Sequence, residues 1–192
     1  MKNENLKLRG TRLYLRYPII EDCAEFLAKA KSSQNFHRNL VNPAKDEESY
    51  LRFVERSETQ ANEFFLICRN QDEKIVGTIN LSQIFRLGFQ NCYLGYYLFE
   101  DFIGKGLMTE AVGLVLLYAF KNLKLHRVEA NVQPENKASI AVLKRSGFAK
   151  EGFSRKYLKV GGRWRDHERW AIIKEDWKYE KKLQNPDDYR RI

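Results

Sequence analysis

Residues 93–112, YLGYYLFEDFIGKGLMTEAV, decide the fold. A strand over residues 92–99 runs into a short glycine-containing loop, IGKGLM, comprising Ile103, Gly104, Lys105, Gly106, Leu107 and Met108. The loop leads directly into a helix over residues 107–120, whose run AVGLVLLYAF is apolar on nearly every side and therefore belongs in the interior. Glycines at the junction let the backbone close around a ligand, and the unpaired N–H groups of the first helical turn face it with the positive end of the macrodipole behind them. Such a turn suits phosphate. Lys105 reads either as an added point charge or as a solvated loop lysine. A lone GxG also serves as a plain strand-to-helix turn, so the rest of the chain has to decide.

Upstream, residues 12–17 alternate Leu13 and Leu15 with polar positions, the period of a half-buried strand. From Ile19 the residues Ile20, Cys23, Phe26 and Leu27 recur at helical spacing, and a second helix is expected over 46–61 behind Asp46, Glu47 and Glu48. The segment SSQNFHRNLVNP between them reads as a loop. Strands over 64–69, 74–81 and 92–99 suggest an antiparallel meander. The helix at 107–120 followed by a strand at 126–132 suggests a parallel crossover. A shorter helix over 136–145 stops at Gly147, and strands near 148–160 and 164–173 join through Gly161 and Gly162. No repeat or linker divides the chain, so the expectation is one α/β domain over residues 1–192, with a polar C-terminal tail from about 178.

The composition agrees with a packed domain. In 192 residues, 43% are hydrophobic and 13% aromatic, enough for a sizeable core, and the longest apolar stretch is too short to cross a bilayer. The start MKNENLKLRG has no apolar signal region, which gives a cytoplasmic expectation with no membrane partner. Cys23, Cys68 and Cys92 lack CxxC spacing and sit among apolar neighbours, so they read as reduced packing residues, and no metal is expected. A net charge of +9 favours anionic partners, which are phosphate-bearing cofactors, RNA-rich particles (ribosome or rRNA proximity) or acidic peptides, against the alternative of a soluble surface that happens to be basic.

The loop, the TEA that follows it at 109–111, and LHRVEANVQPENKASIAVLKRSGF at 125–148 resemble in order and spacing the GNAT acetyltransferase superfamily. More narrowly, CYLGY, GKGLM, PENKAS and KEGFSRKYLKVGGRWRDH resemble its RimJ/RimL-like group, the ribosomal-protein alanine N-terminal acetyltransferases. The resemblance implies a mostly antiparallel mixed sheet flanked by helices. It also implies acetyl-CoA as donor, with its pyrophosphate on the loop residues 103–108 and the N-terminus of a small-subunit ribosomal protein as acceptor. Two positions depart from the superfamily pattern. Ile103 stands where Gln or Arg is usual and Met108 where Gly or Ala is usual, yet backbone donation depends on conformation and survives both changes. The resemblance also assigns thioester binding to the backbone of Leu98 and Phe99, with an N–H as oxyanion donor.

Moving acetyl to an amine needs a neutral nitrogen, a polarised carbonyl and a protonated leaving sulfur. An α-amino group, with a pKa near ~7.7–8.0, is partly neutral at pH 7, whereas a lysine near ~10.4 needs a stronger base. Asn136 reads either as a helix N-cap or, by resemblance, as a residue beside the cofactor. Leu143 stands where many members have a tyrosine acid, and Ser139 resembles the serine given that role in the RimJ/RimL-like group, although a structural serine fits equally. Glu129, alternating with Val128 and Ala130, is the base candidate against an ion-paired alternative. His126 and His167 read as structural, His37 as a loop residue within reach of substrate, and Phe36, Phe85 and Tyr157 as cleft walls or core. With Cys68 and Cys92 on strands, direct amine attack is expected over a covalent enzyme intermediate. A polyamine or antibiotic amine as acceptor, and a non-catalytic ribosome- or RNA-binding protein on the same fold, are the alternatives.

Overall fold

The computed structural model describes residues 6–178. Its centre is an eight-stranded sheet in the order β1-β2-β3-β4-β5-β6-β8-β7. In chain order the strands are β1 (Lys7–Arg9), β2 (Leu13–Arg16), β3 (Glu63–Arg69), β4 (Ile75–Phe85), β5 (Asn91–Leu98), β6 (Arg127–Val132), β7 (Ala149–Val160) and β8 (Arg163–Ile173). The helices are α1 (Cys23–Ser32), α2 (Gln34–His37), α3 (Glu47–Ser57), α4 (Leu107–Leu117) and α5 (Lys137–Arg145). Neighbouring strands pair antiparallel everywhere except β5 with β6, which are parallel and joined through α4. The meander and the crossover are therefore as expected.

Strand β3 shows why both faces need helices. Phe64 to Cys68 are all buried, so neither face meets water. Successive side chains leave a strand on opposite faces. Phe64 stacks on Phe53 of α3 at 5.6 Å, while Phe65 meets Tyr118, just past α4, edge-on at 5.6 Å. Thus α3 covers one face and α4 the other. Helix α3 begins at Asp46, whose carboxylate accepts the Ser49 N–H at 2.9 Å, and it ends at Ser57, short of the expected Ala61.

Three local expectations change. The segment expected as loop after α1 contains the one-turn α2. The interior helix ends as α-helix at Leu117 and relaxes into a π-turn, Tyr118–Asn122, closed by the Leu123 N–H on the Tyr118 carbonyl at 3.0 Å. The short edge strand β1 was not foreseen. The tail expectation lies outside the described residues beyond 178, while Trp177 still packs on Phe120 at 5.2 Å.

The arrangement that creates a site is a divergence. Strand β5 pairs with β6 only from Asn91 to Tyr93, then stays with β4 as far as Leu98. Gly77 permits that second pairing, because a Cβ there would stand 2.2 Å from the Tyr97 carbonyl oxygen. Past Tyr93 the β6-facing edge of β5 is open, and α5 and the loop before α4 border the gap.

Candidate active site

The loop is held from behind. Gly104 and Gly106 have φ of 75° and 72°, in the left-handed region, and Gly106 is the N-cap of α4. Arg12 donates to the Lys105 carbonyl at 2.8 Å and to the Gly106 carbonyl at 3.2 Å. In a trans peptide the N–H points opposite the carbonyl, so the Gly106 and Leu107 N–H groups face away from Arg12. With Met108 and Thr109 they make up the first-turn donors that lack intrahelical partners. Arg12 is fixed in turn by Glu110 through Nε at 2.8 Å and through its own backbone N–H at 2.8 Å. Neither Arg12 nor Glu110 was foreseen. The available signal was an acidic residue inside an otherwise apolar helix, which must find a cation when buried. A Cβ on Gly106 would stand on the Arg12 side, 3.6 Å from the guanidinium, so this glycine is required for its backbone angle and not to clear space for a ligand.

The open edge of β5 comes next. In an antiparallel ladder, residues alternate between bonding the neighbour and pointing away. The Phe99 N–H donates to the Val76 carbonyl at 2.9 Å, so Leu98, opposite Gly77, presents its N–H and carbonyl to the gap. This corrects one expectation. The Phe99 donor is occupied by the sheet and its ring is buried edge-on against Phe26 at 5.5 Å, which leaves Leu98 as the candidate oxyanion donor.

Across the gap, Asn136 caps α5 by accepting the Ser139 N–H on Oδ1 at 3.1 Å, and its amide nitrogen has no protein partner among the described residues. The cap and a ligand contact are therefore compatible in one side chain. The Ser139 hydroxyl donates to the Tyr96 hydroxyl at 2.8 Å, and Tyr96 donates to the Ser139 carbonyl at 3.2 Å. Burial pushes the Tyr96 phenol up to about 12, with the Ser139 bond pulling the other way, so it keeps its proton at neutral pH. Tyr96 is a cleft hydroxyl that sequence reasoning missed among the aromatic strand residues.

These elements enclose a cleft of about 260 Å3. Leu98, Ile103, Gly104, Gly106, Leu107, Met108, Asn136 and Ser139 line it together with Phe36, His37, Tyr96 and Arg145. Lys105 does not, because its ammonium turns back to the Asp101 carbonyl at 2.8 Å, and its role as a phosphate contact is withdrawn. Glu129 does not either. Its carboxylate binds Arg127 at 2.8 Å, and Arg127 also holds Glu151, so the ion-paired alternative holds and Glu129 is withdrawn as base. His126 pairs with Glu175 at 3.1 Å, and His167 and Tyr157 meet each other away from the cleft. Phe85 sits exposed beside Phe89 at the far end of β4. Cys68 and Cys92 are buried in the sheet, with their thiols pushed up to about 11 and about 12 by burial. No cluster of three metal-binding side chains occurs among the described residues.

Residues 12–149 match the family model described as an acetyltransferase (GNAT) domain. The chain is 37% identical over 177 residues to a probable N-acetyltransferase, YjcK, of Bacillus subtilis, covering 88% of this chain and 98% of that one. It is 39% identical over 128 residues to the [ribosomal protein uS5]-alanine N-acetyltransferase of Escherichia coli, covering 66% of each chain. Among solved structures, Mycobacterium smegmatis RimJ in complex with CoA-disulfide superposes with a TM-score of 0.81 at 27% identity, covering 87% of both chains. With the diverging strands, the backbone-donor loop and this match in hand, the chain belongs to the GNAT acetyltransferase family.

Proposed function

We propose that this acetyltransferase moves acetyl from acetyl-CoA to the α-amino group of a protein N-terminus, an N-terminal alanine of a small-subunit ribosomal protein in the cytoplasm. Acetyl-CoA supplies the activated thioester. The residues fit it: first-turn N–H groups of α4 for the pyrophosphate, the Leu98 edge for the pantetheine arm and carbonyl, and Asn136 for an amide. The Leu98 N–H polarises the carbonyl, and the Ser139–Tyr96 pair returns a proton to the departing sulfur. Transfer is direct, because neither buried cysteine reaches the cleft or ionises near neutral pH.

The observation that carries the choice of acceptor is the charge of the cleft wall. No carboxylate lines it among the described residues, and Arg145 adds a positive charge, so a polycation such as a polyamine finds no counter-ion there. The net charge of +9 adds long-range repulsion in the same sense. The names of the Escherichia coli and Mycobacterium smegmatis relatives support the ribosomal acceptor. Intact-mass analysis of ribosomal proteins from cells with and without this protein tests the reading. One small-subunit protein should lose the mass of one acetyl group, and an unchanged set of masses would remove ribosomal proteins as acceptors.

A further inference from the structure

His37 ends α2 and is 3% exposed, clasped edge-on between Phe36 at 5.4 Å and Tyr97 at 5.1 Å. It lines the cleft, and its buried Nε2 has no hydrogen-bond partner among the described residues. Buried polar atoms are nearly always completed by a protein group, a water or a ligand, and this one faces the cleft. The titratable group in contact with it is Tyr97 of β5; Tyr96 of β5 and Arg145 of α5 are the others that line the cleft, and no carboxylate there favours an imidazolium.

Resting on the acetyl-transfer reading above, we infer that Nε2 of His37 takes the proton from the acceptor nitrogen, and that the acceptor must arrive in its neutral form, which an α-amino group populates appreciably near neutral pH and a lysine or polyamine hardly at all. The C–N bond forms at the thioester carbonyl and the C–S bond breaks. One proton passes from nitrogen to Nε2, the sulfur takes one from the Ser139–Tyr96 pair, and solvent water takes the proton from His37 and returns one to the pair, so that both groups end as they began. Burial lowers the His37 pKa from its ordinary value, so the imidazole is neutral and ready to accept. Such a base cannot strip an amine whose pKa is near ~10.4, but it can take the far more acidic proton of a nitrogen already bonding to carbon. The acceptor class therefore follows from the environment of the base.

The test uses the full chain with an Ala-first peptide and with spermidine. For wild type, kcat on the peptide should rise with pH through an inflection below about 6.5, and spermidine should be acetylated at least ~100-fold more slowly. His37→Gln should lower kcat roughly 100-fold and erase that inflection, while the thermal shift given by acetyl-CoA is retained. Nitrogen NMR of 15N-histidine-labelled wild type needs no variant: the His37 Nε2 signal should move when the peptide is added to the CoA complex. A variant with kcat within about threefold of wild type and the same inflection, or an unmoved Nε2 signal, overturns the inference alone. A wild type that prefers spermidine overturns both it and the acceptor reading.

Discussion

The end of the cleft proposed for the phosphates is made of backbone, two left-handed glycines and the first turn of α4, whereas the end proposed for proton transfer is made of side chains, His37, Tyr96 and Ser139, from three separate elements. Backbone donors at the first end require a conformation and no particular side chain. Ile103 and Met108 replace the superfamily's usual residues there, and the N–H groups still face the cleft because Arg12 turns the carbonyls away. The second end has no such tolerance, since each group is one atom placed by long-range packing. Substitutions should therefore act oppositely at the two ends: conformation matters at the first, functional groups at the second.

The largest expected effect is at the backbone end. Gly106→Val puts a β-branched residue at φ 72°, where a left-handed conformation costs a non-glycine residue about 1–2 kcal/mol or more. Because the loop relaxes to avoid that angle, the thermal shift given by millimolar acetyl-CoA should vanish in a scan that still shows a folded protein. A preserved shift would mean that the loop does not bind through its backbone.

At the side-chain end, Ser139→Ala and Tyr96→Phe should each lower kcat by about ten- to a hundredfold with acetyl-CoA affinity nearly unchanged, because a leaving-group proton matters mainly in the transition state. If the pair acts as a unit, the double variant should be little worse than either single one. Additive losses in steady-state kinetics would separate the two hydroxyls and leave one of them structural.

A smaller effect concerns stability. His37 binds its proton more weakly when folded than when unfolded, so the unfolded state takes up more protons as pH falls below about 6.5. Its stabilising contribution is present above that pH and lost as pH falls through the lowered native value. Thermal melts from pH 7.5 to 5 should show this loss, and His37→Gln should flatten that part of the curve. The smallest effect expected is for Glu129→Gln, whose kcat should stay within about twofold of wild type, because the carboxylate faces Arg127 and not the cleft. A hundredfold loss there would restore Glu129 as base.

The same division explains what the chain reveals before it folds. The strand–loop–helix unit could be read because the hydrophobic period changes from two to nearly continuous across Gly104 and Gly106, a local signal. The N-cap at Asn136 was readable for the same reason. Strand β1 was not, since three residues with Leu8 alone buried carry no period, and α2 is a single turn. The point where β5 leaves β6 has no mark within residues 92–99, because pairing register is decided by both partners. Alternation correctly set Glu129 opposite the buried Val128 and Ala130, but only the contacts of Arg127 with Glu129 and Glu151 show what that face meets. Tyr96 escaped notice, and His37 was legible only as a loop residue within reach of substrate, since an aromatic strand residue and a loop histidine look alike whether or not a cleft opens beside them.

The most direct test of the account is a competition between two peptides of one sequence, one with a free N-terminal alanine and a blocked lysine, the other with a blocked N-terminus and a free lysine. Both are incubated with the full chain and acetyl-CoA at pH 7.5 and read by fragmentation mass spectrometry. The account predicts acetyl on the α-nitrogen of the first peptide, at least ~100-fold faster than on the lysine of the second. Equal rates, or faster transfer to the lysine, would contradict it.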